Sequence, residues 1–120
     1  EAYQRAILLM ERIHPNSLVM RAHQGNVTAI AQQGILLKTI RDEFDHNVAQ
    51  QLFISETGWK MMRDSKEESI RLINLAASQM GEQASSLDLS ARIMEIMAQL
   101  ETMPSEVAVS FLKQEFQALL

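Results

Sequence analysis

Apolar residues recur at helical spacing along almost the whole chain, and no stretch shows the alternation of a half-buried strand. The longest run is 35–63, where Leu37, Ile40, Phe44, Val48 and Leu52 form one stripe that drifts on to Trp59 and Met62. As a single helix it is roughly 43 Å long, so it is predicted to be the central element of an antiparallel all-α bundle of five or six helices. Gly58 is its weak point. Glycine in a helix costs about 1 kcal/mol against alanine, and the helix is expected to bend or stop there, leaving Trp59 to open a second segment.

The other elements follow from the same periodicity and from its punctuation. A first helix is predicted over Ala2–Ile13, with Ala6, Leu9, Met10 and Ile13 on one stripe. Pro15 ends it at His14, and Asn16 and Ser17 offer caps for a second helix from about Leu18, carrying Val19, Ala22, Val27 and Ile30. Two readings remain around Gly25. Either one helix runs to Gln33, or a short helix turns at Gly25 and a new one, capped by Asn26, passes through Gly34. Further on, Ser65 and Glu68 have the spacing of a capping box, which predicts a break at 64–68 and a helix along Ile70, Ile73, Ala77 and Met80, closed by Gly81. After a polar loop over 82–86, Ser86 or Asp88 is expected to cap a helix with the stripe Leu89, Ile93, Ile96, Met97, Leu100 and Met103. Pro104 then opens a last helix presenting Val107, Ala108, Phe111, Leu112 and Leu119.

Composition narrows the class of protein. With 120 residues, 47% of them hydrophobic, and only two prolines and four glycines, the chain suits a single helical domain over 1–120 and not a disordered segment. It is expected to be a fragment of a longer protein, because it opens on Glu1 with a helix already under way. The net charge of −4 is mild and the basic residues are scattered, so no nucleic-acid partner is expected. No apolar run is long enough for a membrane span, and the expectation is a soluble protein, with a cytoplasmic location favoured. The absence of cysteine removes disulfides, thiolate zinc sites and thiol nucleophiles together.

Candidate chemistry is sparse. Glu11 with His14, and Glu43 with His46, are Glu-x-x-His pairs that share a helix face, the spacing of half a dinuclear carboxylate site; the alternative is that all four are solvated surface residues. His23, before Gln24 and Gly25, is a candidate exposed phosphotransfer histidine or an ordinary surface one. There is no nucleophile elbow and no phosphate-cradling glycine loop. The eight methionines favour irregular cores and adaptable surfaces alike. Met10, Met80, Met97 and Met103 fall on stripes, whereas Met61, Met94 and Trp59 fit them less well.

The run Glu43-Phe44-Asp45-His46-Asn47-Val48-Ala49-Gln50-Gln51-Leu52 resembles the phosphoacceptor box of one class of bacterial sensor histidine kinases. The resemblance covers about ten residues and implies the first helix of a dimerising hairpin. Aligned on Val48 to Leu52, the family's histidine falls on Asp45 and its acid on His46, so the resemblance is out of register and does not establish membership.

These observations lead to the expectation of a non-enzymatic helical module without a cofactor. It binds a protein partner, or itself, through apolar helix faces, as an adaptor or oligomerisation unit. Phe53, Trp59, Met61, Met62 and Met94 are the candidate contact residues, since the drifting stripe near Gly58 is the hardest to cover. The alternative is a signalling bundle of phosphotransfer or dimerisation type using His46 or His23, or else a metal-binding bundle using Glu11, His14, Glu43 and His46.

Overall fold

The backbone follows its local punctuation closely at the N-terminal end. In the computed structural model, which describes residues 2–49 and 53–120 and only the backbone of Pro104, helix α1 spans Ala2–Ile13 and stops where Pro15 opens α2, Pro15–Ala22. The cap of α2 is His14 and not Asn16 or Ser17: its Nδ1 accepts the Asn16 N–H at 3.3 Å. The chain then turns through Asn26, at φ 67°, a left-handed conformation that asparagine tolerates better than most residues. A new helix, α3, runs over Ala29–Ala49, so the reading with a turn near Gly25 holds. Thr28, and not Asn26, caps it, with Oγ1 accepting the Ala31 N–H at 3.1 Å. The remaining helices are α4, Glu56–Ser78, α5, Ser86–Ala98, and α6, Pro104–Ala118. The predicted all-α bundle is therefore present, with six helices among the described residues.

The long central helix over 35–63 is not one element. Phe53, Ile54 and Ser55 are non-helical, and Ser55 caps α4 by accepting the Gly58 N–H on Oγ at 3.0 Å. Leu52, placed on the stripe by the sequence, lies outside the described residues. A stripe that drifts across its helix marks a change of element here: Ile40 and Phe44 are buried on α3, Met62 is buried on α4, and Val48 between them is exposed. Gly58 sits in the first turn of α4, packed beneath the incoming chain. A Cβ there would lie 2.6 Å from Ile54 Cγ2 and 3.4 Å from Leu112 Cδ2.

The predicted break at 64–68 is also absent. Helix α4 continues through it, and Ser65 is buried in its interior, because a Ser–Glu spacing forms a capping box only where backbone N–H groups are free, and here the preceding turn already supplies their acceptors. The capping box that does form is one helix later, where Ser85 Oγ accepts the Asp88 N–H at 3.1 Å and Asp88 accepts the Ser85 N–H at 2.9 Å. Helix α4 ends at Ser78, before Gly81, and Met103 is the residue before α6 and not the end of the α5 stripe.

Helices α3 and α4 share the central position, α3 packing against α1, α2, α4 and α5 and α4 against α1, α3, α5 and α6. The two are antiparallel, since Gln33 hydrogen-bonds Asn74 while Phe44, further along α3, meets Trp59 and Lys66 in the first half of α4. Helices α1 and α6 are antiparallel too: Tyr3 meets Glu115 and Phe116, and His14 meets Glu106. The molecule measures 52 × 30 × 19 Å, and its thin dimension corresponds to two helix layers, each about 10 Å across. Leu9, Ile13, Leu36, Ile40, Met62, Ile73, Ile93 and Leu112 fill the interface between them, each essentially without solvent contact. Ile30, read as part of an apolar stripe, is exposed, and its place is taken by Gln32, fully buried, whose amide donates to the Ala22 carbonyl at 3.0 Å and accepts the Gln24 N–H at 3.1 Å. Gln32 thereby satisfies the polar groups of the α2–α3 turn.

Candidate functional site

Helix α6 begins on a proline, whose fixed φ and missing N–H suit a first helical turn. No side chain from Met103 caps it, while the Glu106 carboxylate reaches back to accept the Met103 N–H at 3.2 Å. On both sides of this first turn the surface is concave. Between α6 and the α1–α2 corner lies a cleft of about 450 Å³ walled by Met10, Met20 and Val109, with Ser105, Glu106, Glu11 and His14 supplying its polar groups. Between α6 and α4 lie two adjoining clefts of about 400 and 310 Å³ that share Met61, Thr102 and Val107, with Phe111 in the larger and Ser65 in the smaller. Glu106 borders the first cleft and the larger of the other two, so it forms the ridge between them.

Two hydroxyls set these clefts apart. Among the described residues, the buried side-chain oxygens without a hydrogen-bond partner are Ser65 Oγ and Ser105 Oγ. Both residues are about 1% exposed, and each lines one of the clefts beside the start of α6. Buried hydroxyls normally find partners, because an unmade hydrogen bond costs on the order of 1–3 kcal/mol. The residues that sequence reasoning missed here are therefore two serines: Ser65 reads as a cap, and Ser105 is not singled out at all. Their only signal in the sequence was a polar position in a buried register.

The five candidate contact residues do not form one surface. Met61 is half-buried and lines the α4–α6 clefts. Met62 is fully buried, which removes it from any free surface, because neighbouring positions on a helix point about 100° apart and only one of the pair faces out. Trp59 is half-buried with its ring edge-on to Phe44, centroids 6.3 Å apart, so it seals the α3–α4 hairpin. Phe53 is 88% exposed in the α3–α4 connection, and Met94 is 39% exposed on α5.

The two Glu-x-x-His pairs are separated. Glu11 and His14 border the cleft beside α6, whereas Glu43 and His46 border a different one between α1 and α3. Glu43 is held by two guanidinium groups, with Arg12 at 2.7 Å and Arg21 at 3.1 Å, and ties α1, α2 and α3 together. His14 is engaged as a helix cap, with Nε2 3.6 Å from Glu106. No group of three or more metal-ligating side chains converges among the described residues. His46 is exposed, and His23 is exposed with Nδ1 3.3 Å from Ser90 Oγ.

A polar network elsewhere is structural in character. Tyr3 donates to Glu115 at 2.7 Å, and Ser55 donates to the same carboxylate at 2.6 Å, joining α1, the α4 cap and α6. The hydrogen bonds from Ser55 and then Tyr3 hold the Glu115 pKa below its ordinary value. Burial, followed by the bond to Glu115 and its charge, raises that of Tyr3. No helix among the described residues is long and apolar enough to cross a membrane.

No curated protein and no solved structure is significantly similar to the chain. Residues 1–119 match the model of DUF7935, a family of unknown function, and the chain belongs to that family.

Proposed function

We propose that this domain is a non-enzymatic docking module that binds a partner protein across the first turns of α6. One observation carries the reading: the two orphan hydroxyls, Ser65 and Ser105, both line the clefts that flank this turn. A fold that leaves two buried hydroxyls unsatisfied loses stability, and since both oxygens are closed to solvent in the free domain, a partner's groups recover it only where docking shifts the start of α6. The apolar walls support the same reading. Met20, exposed, and Met61, half-buried, are adaptable side chains suited to a docking surface, and Val107, 46% exposed, lines both α4–α6 clefts. Of the contact residues expected from sequence, Met61 belongs to this surface.

The test is site-specific photocrosslinking in the native cell, with the photoreactive residue placed at Val107 or, as a control, at the exposed Glu82. The proposal expects a discrete protein adduct from position 107 that is absent from position 82 and lost when Met61→Glu is added. Equal adduct patterns from the two positions refute it.

A further inference from the structure

Building on this docking reading, we infer that the partner is basic and inserts a lysine or arginine side chain into the cleft between α6 and the α1–α2 corner. The exposed Met20 and half-buried Val109 suit an aliphatic stem, while Glu11 and Glu106, both exposed, are the charged groups at its edge. Among the described residues no lysine or arginine borders this cleft. Among the described residues neither carboxylate is paired with one, and the nearest basic group is His14, 3.6 Å from Glu106. That histidine accepts the Asn16 N–H on Nδ1 and turns Nε2 toward Glu106. The site therefore presents two carboxylates without a lysine or arginine partner beside an apolar channel, with the unpartnered Ser105 hydroxyl buried in its lining. An ammonium or guanidinium group on a hydrocarbon stem is complementary to the carboxylates and the apolar walls. A free amine would satisfy the charge too, but the adjoining clefts on the far side of Glu106 extend the surface beyond one side chain and favour a protein segment.

The eight methionines make the experiment direct. Methyl-labelled protein is titrated with a capped amphipathic peptide of leucine and lysine, with its leucine–glutamate counterpart, and with n-hexylammonium. The expected result is that the lysine peptide shifts the Met10 and Met20 methyl signals and leaves Met80 in place. The double variant E11Q/E106Q should bind it about three- to tenfold more weakly, as two exposed ion pairs are lost. Glutamine at 106 keeps an acceptor for the Met103 N–H, and E56Q/E82Q, with the same change in net charge elsewhere, should leave the affinity unchanged. If both peptides shift Met10 and Met20 with equal affinity, the basic partner is refuted while apolar docking stands. If n-hexylammonium binds there and the lysine peptide does not, the partner is refuted in favour of a small amine. If neither peptide moves these signals, the inference fails, and the crosslink from Val107 decides the docking reading separately.

Discussion

Glycine-to-alanine substitution should have opposite effects at two positions in this fold. Gly34 lies in the interior of α3, is exposed, and a Cβ there meets nothing within 4 Å. Alanine at 34 brings only its helical preference and the smaller entropy of its unfolded chain, a gain of about 0.5–1 kcal/mol. Gly58 occupies the first turn of α4, where the new Cβ would lie 2.6 Å from Ile54 Cγ2 and 3.2 Å from Ser55 Oγ. A contact that short forces the β-branched Ile54 and the capping serine to move, and overpacking of this kind costs about 1–3 kcal/mol. Helical preference offsets part of it, so a net loss of about 1 kcal/mol is expected. For a domain of this size each 1 kcal/mol is worth about 4 °C. Thermal unfolding followed by circular dichroism should therefore show Gly34→Ala a few degrees above the parent and Gly58→Ala a few degrees below it. A rise in Tm for both would mean that Gly58 is an ordinary helical glycine and that α4 does not begin beneath Ile54.

Other outcomes are expected from the same geometry. Ser65→Ala should raise stability by about 1 kcal/mol in urea unfolding, by removing an orphan hydroxyl and adding helical propensity, while weakening the crosslink from position 107. Phe44→Ala should cost about 3–5 kcal/mol and Trp59→Ala about 2 kcal/mol, because the two rings pack together; equilibrium unfolding with no loss for Trp59→Ala would put that ring outside the core. Because the folded-state pKa of Glu115 is depressed, its contribution is complete above the unfolded value near 4.5 and is lost as pH falls through the folded pKa. Glu115→Gln should flatten that acid limb of the Tm–pH curve. Tyr3 has the opposite sign: its raised pKa contributes stability below pH 10.0 that is lost at higher pH, a limb that Tyr3→Phe should remove while keeping the ring beside Phe116.

The sequence by itself determined the helical class and the helix ends that depend only on neighbours in the chain. Pro15 ends α1 and Pro104 opens α6, and the stripe of Leu89 and Ile93 needs only a 3.6-residue period to be read. Periodicity does not register a short non-helical connection between two apolar runs, so 35–63 reads as one helix although Ser55 starts another. Nor does it separate a serine that caps from one that is buried: Ser85 and Ser65 both precede an acid by three residues, and only the packing of α4 against α6 decides that Ser65 lies inside a helix. The candidate site belongs wholly to tertiary structure. Met10 and Met20 meet Ser105 and Glu106 because α1 and α6 run antiparallel, and Met61 meets Val107 because α4 also lies beside α6. Residues this far apart in sequence carry no local pattern that links them, whereas Glu11 with His14 and Glu43 with His46 carry a strong local pattern and are held apart by the fold.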